Sequence, residues 1–248
     1  MQSKTEKKLL AGGEATLNNT GYMTGGLDLY SLDFIEYASR SNEWVLDIGA
    51  CYGVAVLPAL AQGAKVIAAD NDERHLTILN DRVPSKDKNR LRLLLGTLPD
   101  NINVEKNSLG AILCCRVLHL LKTDEIEKSI AHMYEWLLSG GRLYLVNDTP
   151  YTRYSDKMLV EFLPIYQQKK RQGIEWPGYI PNLKFYLQSE FHHLAPEFIT
   201  LTGVDELADA CKRCGFKILK AGFIARNDYP PSLRNDGREN AGVIAIKS

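Results

Sequence analysis

From residue 31 onward, short apolar runs alternate along the chain with amphipathic stretches. The apolar runs have the length of buried strands, and the stretches between them have helical spacing. This pattern predicts repeated βα units that build a parallel sheet. The predicted strands of this series are residues 44–48, 65–69, 91–95, 109–115 and 142–147. A last pair of strands is predicted at 216–224 and 242–247.

Polar residues that can cap helices stand at four predicted helix starts: Ser31, Asn71, Thr123 and Thr202. The helix from Ser31 is expected to run to about residue 41 and to bury Leu32, Ile35 and Tyr37. The helix from Thr123 is expected to reach residue 138, because the glycines at 140 and 141 favour a stop there.

One interval, residues 151–200, does not follow the alternation. It carries 10 of the 22 aromatic residues: Tyr151, Tyr154, Phe162, Tyr166, Trp176, Tyr179, Phe185, Tyr186, Phe191 and Phe198. A fifth of the chain therefore holds nearly half of its rings. This predicts a packed insertion with its own apolar surface.

Charge and composition narrow the range of partners. The 248 residues contain 30 Lys and Arg against 30 Asp and Glu, so the chain has no general attraction for nucleic acid or an anionic membrane. The N-terminal segment has no apolar run of signal-peptide length, and no span is expected to cross a membrane. Five cysteines, an odd number at low density, favour a reducing cytoplasm. No metal site is predicted, and the Cys211–Cys214 pair is expected to pack in the core.

The segment from Val45 to Gly53 carries the first chemical signal, because an apolar strand runs there into a glycine-bearing turn that opens a helix. Such a turn lets a ligand approach the backbone and the free N–H groups of a helix start. The dinucleotide pattern G-x-G-x-x-G is poorly met, since Cys51 and Val54 stand at its second and third glycine positions. A dehydrogenase is therefore a weak alternative.

Asp70 closes the second strand, 21 residues after Gly49. A carboxylate at the tip of the neighbouring strand can accept hydrogen bonds from the hydroxyls of a ribose. The turn and Asp70 together therefore indicate a nucleoside site.

These residues resemble the class I, Rossmann-like methyltransferases that use S-adenosylmethionine. The matching positions are Asp47, Gly49 and Gly53, then Asp70, then residues 96–99 after the third strand and 115–119 after the fourth. Residues 207–216 also look like that family's late segment. The resemblance covers roughly residues 40–150 and 200–248. Cys51 replaces the middle glycine of the family's turn, and Thr97 stands where an acid is often found.

The resemblance implies an α/β fold over residues 1–248, with a seven-stranded, mainly parallel sheet and an antiparallel terminal strand. Outside the resemblance, residues 1–42 are expected to form an N-terminal segment. The ring count of residues 151–200 and their position after the fifth strand predict an aromatic cap insertion that folds over the carboxyl edge of the sheet and supplies the acceptor pocket. The cofactor-binding residues that the resemblance implies are Asp47, Gly49, Ala50, Cys51, Gly53, Asp70, Asn71, Thr97, Leu98, Cys115 and Arg116. In this assignment the turn holds the methionine half, Asp70 the ribose, and Cys115 with Arg116 the methyl-donor end.

The function predicted from this resemblance is methyl transfer from S-adenosylmethionine. The aromatic insertion and the zero net charge predict that the acceptor is a small or medium, partly apolar molecule. His192 or His193 is the predicted base, and Arg116 is predicted to orient the cofactor or the acceptor. His119 lies in an apolar run and is interpreted as a core or strand-end residue. The alternative is a non-catalytic nucleoside-binding or interaction protein, and a homodimer through the insertion is a further expectation.

Overall fold

The computed structural model describes residues 13–18, 22–187, 189, 192 and 195–248. Its centre is a seven-stranded sheet in the order β5-β4-β3-β6-β7-β11-β10. These strands are β3 Trp44–Ile48, β4 Lys65–Asp70, β5 Leu91–Leu95, β6 Leu109–Cys115, β7 Leu137–Asp148, β10 Phe216–Ile224 and β11 Asn240–Lys247. Two small sheets pair β1 Gly13–Ala15 with β2 Tyr22–Thr24, and β8 Tyr179–Ile180 with β9 Ile199–Thr200.

Strands β3 to β7 pair in parallel, whereas β11 pairs antiparallel with both β7 and β10. The predicted fold class, a mainly parallel sheet of seven strands with one antiparallel strand, is confirmed. Strand β11 lies inside the sheet, between β7 and β10, and not at its edge.

Six α-helices are present in the described part of the chain: α1 Leu29–Arg40, α2 Val56–Ala61, α3 Glu73–Arg82, α4 Thr123–Trp136, α5 Leu163–Arg171 and α6 Val204–Arg213. A π-helical turn, Met158–Phe162, leads directly into α5. Short 3₁₀ segments occupy Ser85–Arg90, Leu118–Leu120, Leu183–Tyr186 and Pro231–Leu233.

All four predicted caps are displaced by one to three residues. Asp28 caps α1 by accepting from the N–H groups of Tyr30 and Ser31, and Asp72 caps α3 by accepting from Arg74 N–H. The N-cap positions of α4 and α6 are Lys122 and Gly203. Asp28 precedes the apolar pattern that sequence periodicity can detect, which is why Ser31 was the expected start.

Two further predictions about helices are wrong. Ile35 is buried as predicted, but Leu32 is exposed and Tyr37 is only partly buried, because the buried face of α1 also includes Tyr30, Phe34 and Ala38. Residues 137–141 begin β7 and do not end α4. A register shift on β6 between Leu109 and Ala111 accommodates the glycine-containing start of β7.

Both faces of the sheet are buried. On one face, Leu46, Ile112 and Leu143 pack in a cluster with α4 and α6. On the other face, Val45 and Val66 pack in a second cluster with α1, α2 and α3. Helices on both sides explain why the strands are continuous apolar runs and do not alternate with polar residues.

The insertion has a small core of its own, formed by Met158, Phe162, Tyr166, Ile180, Leu183, Ile199 and Leu201. It is attached to the main unit through Tyr166, whose hydroxyl donates to Glu206 Oε1 on α6 at 2.8 Å. The predicted apolar packing of this segment therefore exists. Among the described residues, no helix combines the length and apolar character that crossing a membrane requires.

We expect Gly242→Ala to lower the free energy of unfolding by about 1–3 kcal/mol, because overpacking forces buried groups apart. A Cβ at Gly242 would lie 2.5 Å from the ring of Tyr30, which is itself buried. The matched control is Gly222→Ala on the paired position of β10, where the added Cβ meets only the Tyr30 hydroxyl, at 3.3 Å. Urea denaturation of both variants measures the difference, and equal losses would contradict this explanation.

Candidate functional site

A cavity lies at the carboxyl ends of the parallel strands. Its lining includes residues that directly follow or close β3, β4, β5 and β6: Gly49, Asp70, Gly96 and Arg116. Parallel sheets place ligand sites at this edge because the strand ends and the helix starts that follow them converge there.

Ten of the eleven predicted cofactor-binding residues line this cavity: Asp47, Gly49, Ala50, Cys51, Asp70, Asn71, Thr97, Leu98, Cys115 and Arg116. Gly53 is not among the lining residues. Its backbone has φ +91°, and a Cβ there would lie 2.2 Å from Leu79 of α3, so its role is to let the turn pack on that helix.

The turn after β3 is fixed by its backbone. Gly49 has φ +74°, and a Cβ there would lie 2.4 Å from Val117, which only glycine avoids. The N–H groups of Gly49 and Ala50 both donate to the Ala69 carbonyl, at 2.9 and 3.0 Å. Cys51 also has a left-handed backbone, with φ 45°, a conformation that costs a side-chain-bearing residue of order 1 kcal/mol.

Asp70 offsets this cost by holding the turn. Its Oδ2 accepts from Cys51 N–H at 2.9 Å, while its Oδ1 accepts from Asp72 N–H at 3.0 Å and contacts His75 Nδ1 at 2.9 Å. A carboxylate offers about four lone-pair positions, and these three contacts use most of them. Asp70 therefore has capacity for about one further donor, such as one hydroxyl of a ribose.

Asp47 supplies a second carboxylate to the cavity. It is 4% exposed, and its carboxylate has no hydrogen-bond partner among the described residues. Burial, followed by repulsion from Asp70, raises the pKa of Asp47 to about 8. A buried carboxylate of this kind is suited to a ligand that brings a positive charge. The ammonium group of S-adenosylmethionine fits Asp47, and a ribose hydroxyl of the same molecule fits Asp70.

At the other end of the cavity, Arg116 is held in one conformation. Its backbone has φ 59°, its N–H donates to the Val146 carbonyl at 2.7 Å, and its Nε donates to Asp148 Oδ1 at 3.1 Å. Its guanidinium also lies 5.2 Å from the centre of the Tyr229 ring. Arg116 is therefore a fixed positive group in the cavity wall.

Asp148 is the fully buried partner of this arginine, and it also accepts from Asn240 Nδ2 at 2.6 Å and from the Tyr154 hydroxyl. Burial opposes its ionisation, but the charge of Arg116 and these hydrogen bonds outweigh burial and keep the pKa of Asp148 well below its usual value. The Arg116–Asp148 pair stays charged at neutral pH.

His119 lies in the cavity wall on the same side. It is 7% exposed, its backbone N–H donates to Asn147 Oδ1 at 2.9 Å, and its Nδ1 has no partner among the described residues. Burial lowers the pKa of His119, although the charge of Asp148 opposes the shift, so the imidazole is neutral at pH 7. The interpretation of His119 as a core or strand-end residue agrees with its burial, but it did not place the side chain in the cavity wall. Its position four residues after the end of β6 was the signal that could have revealed it.

The cysteines of the cavity are not nucleophiles. Burial, followed by the charges of Asp70 and Asp28 respectively, raises the pKa of both the Cys51 and the Cys115 thiol to about 12. Both side chains are neutral thiols at physiological pH and act by packing.

None of the described residues of the insertion lines the cavity, contrary to the expectation that this segment forms its wall. The insertion contacts the site only indirectly. The Tyr154 hydroxyl donates a hydrogen bond to Asp148, and Asp148 in turn holds Arg116 of the cavity wall. His192 is likewise outside the lining, and its Nε2 lies 3.2 Å from the Leu187 carbonyl. His193 lies outside the described residues.

Sequence reasoning missed the parts of the wall that come from far away along the chain. These are Thr16, Asn18, Met23, Asp28 and Ser31 of the N-terminal segment, and Arg226 after β10. Arg226 is 3% exposed and donates to both oxygens of Asp228, at 2.8 and 2.7 Å. No motif marks these residues, because they meet the site only through the tertiary fold.

Comparison with known proteins agrees with this geometry. Residues 45–141 match the family model described as a methyltransferase domain. Residues 45–141 therefore belong to a methyltransferase domain. The predicted methyltransferase family is confirmed over this segment. Comparison with curated proteins finds no match.

Solved structures share the fold of the methyltransferase domain. A SAM-dependent methyltransferase from Methanosarcina mazei aligns with a TM-score of 0.63 at 16% identity, covering 89% of this chain and 99% of that one. One from Mesorhizobium loti aligns with a TM-score of 0.61 at 15% identity over 88% and 97% of the two chains. The 1,6-didemethyltoxoflavin-N1-methyltransferase of Burkholderia thailandensis aligns with a TM-score of 0.59 at 18% identity over 88% and 76%.

The state of Asp47 predicts a pH dependence of cofactor binding. Its pKa of about 8 means that the carboxyl is mostly protonated below that pH, and binding of an ammonium group requires it to lose the proton. Affinity for S-adenosylhomocysteine should therefore rise with pH below about pH 8, by at most about tenfold per pH unit. Calorimetric titrations at several pH values measure this slope.

Asp47→Asn should remove this slope and weaken binding at pH 8. The control is Asp81→Asn, since Asp81 is exposed and does not line the cavity. Because the ligand's own titration is common to all three proteins, it cancels in the comparison. Equal slopes in the wild type and Asp47→Asn would show that Asp47 does not contact the ammonium group.

Proposed function

We propose that this methyltransferase domain transfers the methyl group of S-adenosylmethionine to a small or medium, partly apolar acceptor. The observation that carries the proposal is the pairing, within one cavity, of two acids at the glycine turn with a fixed arginine and a neutral histidine at the other end. The two acids suit binding of the cofactor. The arginine and the histidine suit binding of an acceptor beside it.

The bound cofactor supplies an electrophilic methyl group on a sulfonium. Asp47 would accept a hydrogen bond from its ammonium group, and Asp70 one from a ribose hydroxyl. Gly49 to Cys51 would line the methionine half. Asn71, Thr97 and Leu98 would border the adenine, with Cys115 at the methyl-donor end. Since methyl transfer depends mainly on alignment, this positioning supplies much of the rate.

The acceptor end combines charge with apolar surface. Arg116 and His119 are its polar groups, and Val117 and Leu120 lie beside them in the lining. The neutral net charge of the chain favours small molecules over polyanions. The Burkholderia relative, whose structure holds 1,6-didemethyltoxoflavin together with S-adenosylhomocysteine, is one protein of this fold with a small-molecule acceptor.

Proton removal is assigned here to His119. An acceptor hydroxyl must lose its proton around the time of attack, and a neutral imidazole with an unpartnered nitrogen can take it. Arg116, held by Asp148, would orient the acceptor or the cofactor. His192 and His193 stay predictions for the same role and are tested in the same series. The homodimer through the insertion also stays a prediction.

Asp70→Ala should weaken binding of S-adenosylhomocysteine by about 1–3 kcal/mol, the range for a lost hydrogen bond to a charged group. Its control is Asp72→Ala, which removes the cap of α3 but lies outside the cavity. That change should lower the melting temperature and leave the affinity unchanged. Calorimetric titration measures both variants, and full affinity in Asp70→Ala would remove Asp70 from the ribose site.

Turnover separates an enzyme from the non-catalytic alternative. The assay measures transfer of a labelled methyl group from S-adenosylmethionine to a panel of small phenols, aromatic carboxylates and heteroaromatic amines. Product with at least one class supports the proposal. Tight binding of S-adenosylhomocysteine without turnover on any class supports a nucleoside-binding protein instead.

For a phenol acceptor, His119→Gln should lower the rate by at least about tenfold, because a positioned base contributes about 10²–10⁴. The wild-type rate should fall on acidification with a midpoint below about pH 6.5, since burial lowers the pKa of His119 from that ordinary value. His192→Ala and His193→Ala are measured alongside. A normal rate and an unchanged pH profile in His119→Gln would assign the proton transfer elsewhere.

A further inference from the structure

The N-terminal hairpin, defined here as residues 13–18 and 22–24 with strands β1 and β2, contributes to one wall of the cavity although it stands apart from the main sheet. Three of its described residues, Thr16, Asn18 and Met23, line the cavity beside Asp70 and Asn71. Whatever fixes this hairpin therefore also shapes the cofactor site.

The hairpin is attached to α3 and the residues just before it. The Leu17 N–H donates to His75 Nε2 at 2.9 Å, and the Leu17 carbonyl accepts from Arg74 Nη2 at 2.9 Å. Asn18 Nδ2 donates to Asn71 Oδ1 at 3.0 Å. These contacts converge on one helix start, the same one that Asp70 precedes.

His75 is the buried member of this group. It is 1% exposed, and its ring packs edge-on against Tyr52, with ring centres 5.1 Å apart. Because Nε2 accepts from Leu17, this nitrogen carries no proton. The proton is then on Nδ1, which donates to Asp70 Oδ1 at 2.9 Å. A single imidazole thus joins the hairpin backbone to the carboxylate assigned to the ribose.

We propose that His75 is a positioning residue that couples docking of the N-terminal hairpin to binding of the cofactor. The proposal rests on the proposed function, since it takes Asp70 as the ribose contact. The imidazole fixes the Asp70 carboxylate from one side and the hairpin from the other. Any ligand that holds Asp70 in this orientation also stabilises the acceptor for Leu17. By linkage, a docked hairpin then strengthens ligand binding by the same factor.

The two hydrogen bonds of the His75 ring can be removed separately by substitution. In His75→Asn the amide nitrogen has the reach of Nδ1, so it keeps a donor for Asp70 and loses the acceptor for Leu17. In His75→Gln the amide oxygen has the reach of Nε2, so it keeps the acceptor for Leu17 and loses the donor for Asp70. Both variants keep a polar side chain at the site, and thermal unfolding checks that each is folded.

The readout is hydrogen exchange of the Leu17 amide, followed by NMR with and without S-adenosylhomocysteine, together with calorimetric affinity. In the wild type the ligand should slow this exchange at least fivefold. His75→Gln should keep slow exchange in the free protein but lose most of the further slowing by ligand. His75→Asn should exchange fast in both states, and both variants should bind the ligand at least fivefold more weakly.

Arg74→Gln is the control, because it removes the other contact to Leu17 without touching Asp70. This variant should speed exchange of the Leu17 amide in the free protein, and the ligand should still slow that exchange by the same factor as in the wild type. If S-adenosylhomocysteine binds to the wild type and slows Leu17 exchange in both His75 variants by the same factor as in the wild type, the coupling role of His75 is overturned and the proposed cofactor site stands. If S-adenosylhomocysteine does not bind to the wild type, both the proposed cofactor site and this inference are overturned.

Discussion

The carboxylate of Asp70 is the interaction on which the candidate site depends. It binds the turn after β3 through Cys51 N–H, the start of α3 through Asp72 N–H, and the side chain of His75. Without this acceptor, the Cys51 N–H would be a buried, unpaired donor, and the left-handed backbone of Cys51 would lose the hydrogen bond that supports it. One side chain therefore sets the positions of the turn, the helix and, through His75, the N-terminal hairpin.

A second buried carboxylate, Asp148, organises the opposite end of the site. It joins Arg116 after β6, Asn240 of β11 and Tyr154 of the insertion. The insertion thus acts on the site through the orientation of Arg116, and not by contributing a described residue to the cavity wall. The two acids therefore have different roles. Asp70 shapes the proposed cofactor side of the cavity, and Asp148 holds Arg116 on the proposed acceptor side.

The sequence was sufficient for the elements whose cause is local. Buried parallel strands are continuous apolar runs, and the glycine at position 49 and the acid at position 70 follow such runs directly. The helix caps were less predictable, because Asp28 and Asp72 are separated from the apolar pattern by one or more residues. Arg226 and the N-terminal hairpin could not be placed, since their contacts with the cavity join segments distant in sequence. Periodicity carries no information about such contacts.

The place of β11 inside the sheet affects how the protein is made. Strand β7 ends at residue 148, but the neighbour that covers its edge is formed by residues 240–247. During synthesis, the apolar edge of a half-built sheet therefore stays open while nearly a hundred further residues leave the ribosome. The native order of strands therefore leaves this edge available for pairing with other chains until β11 is made.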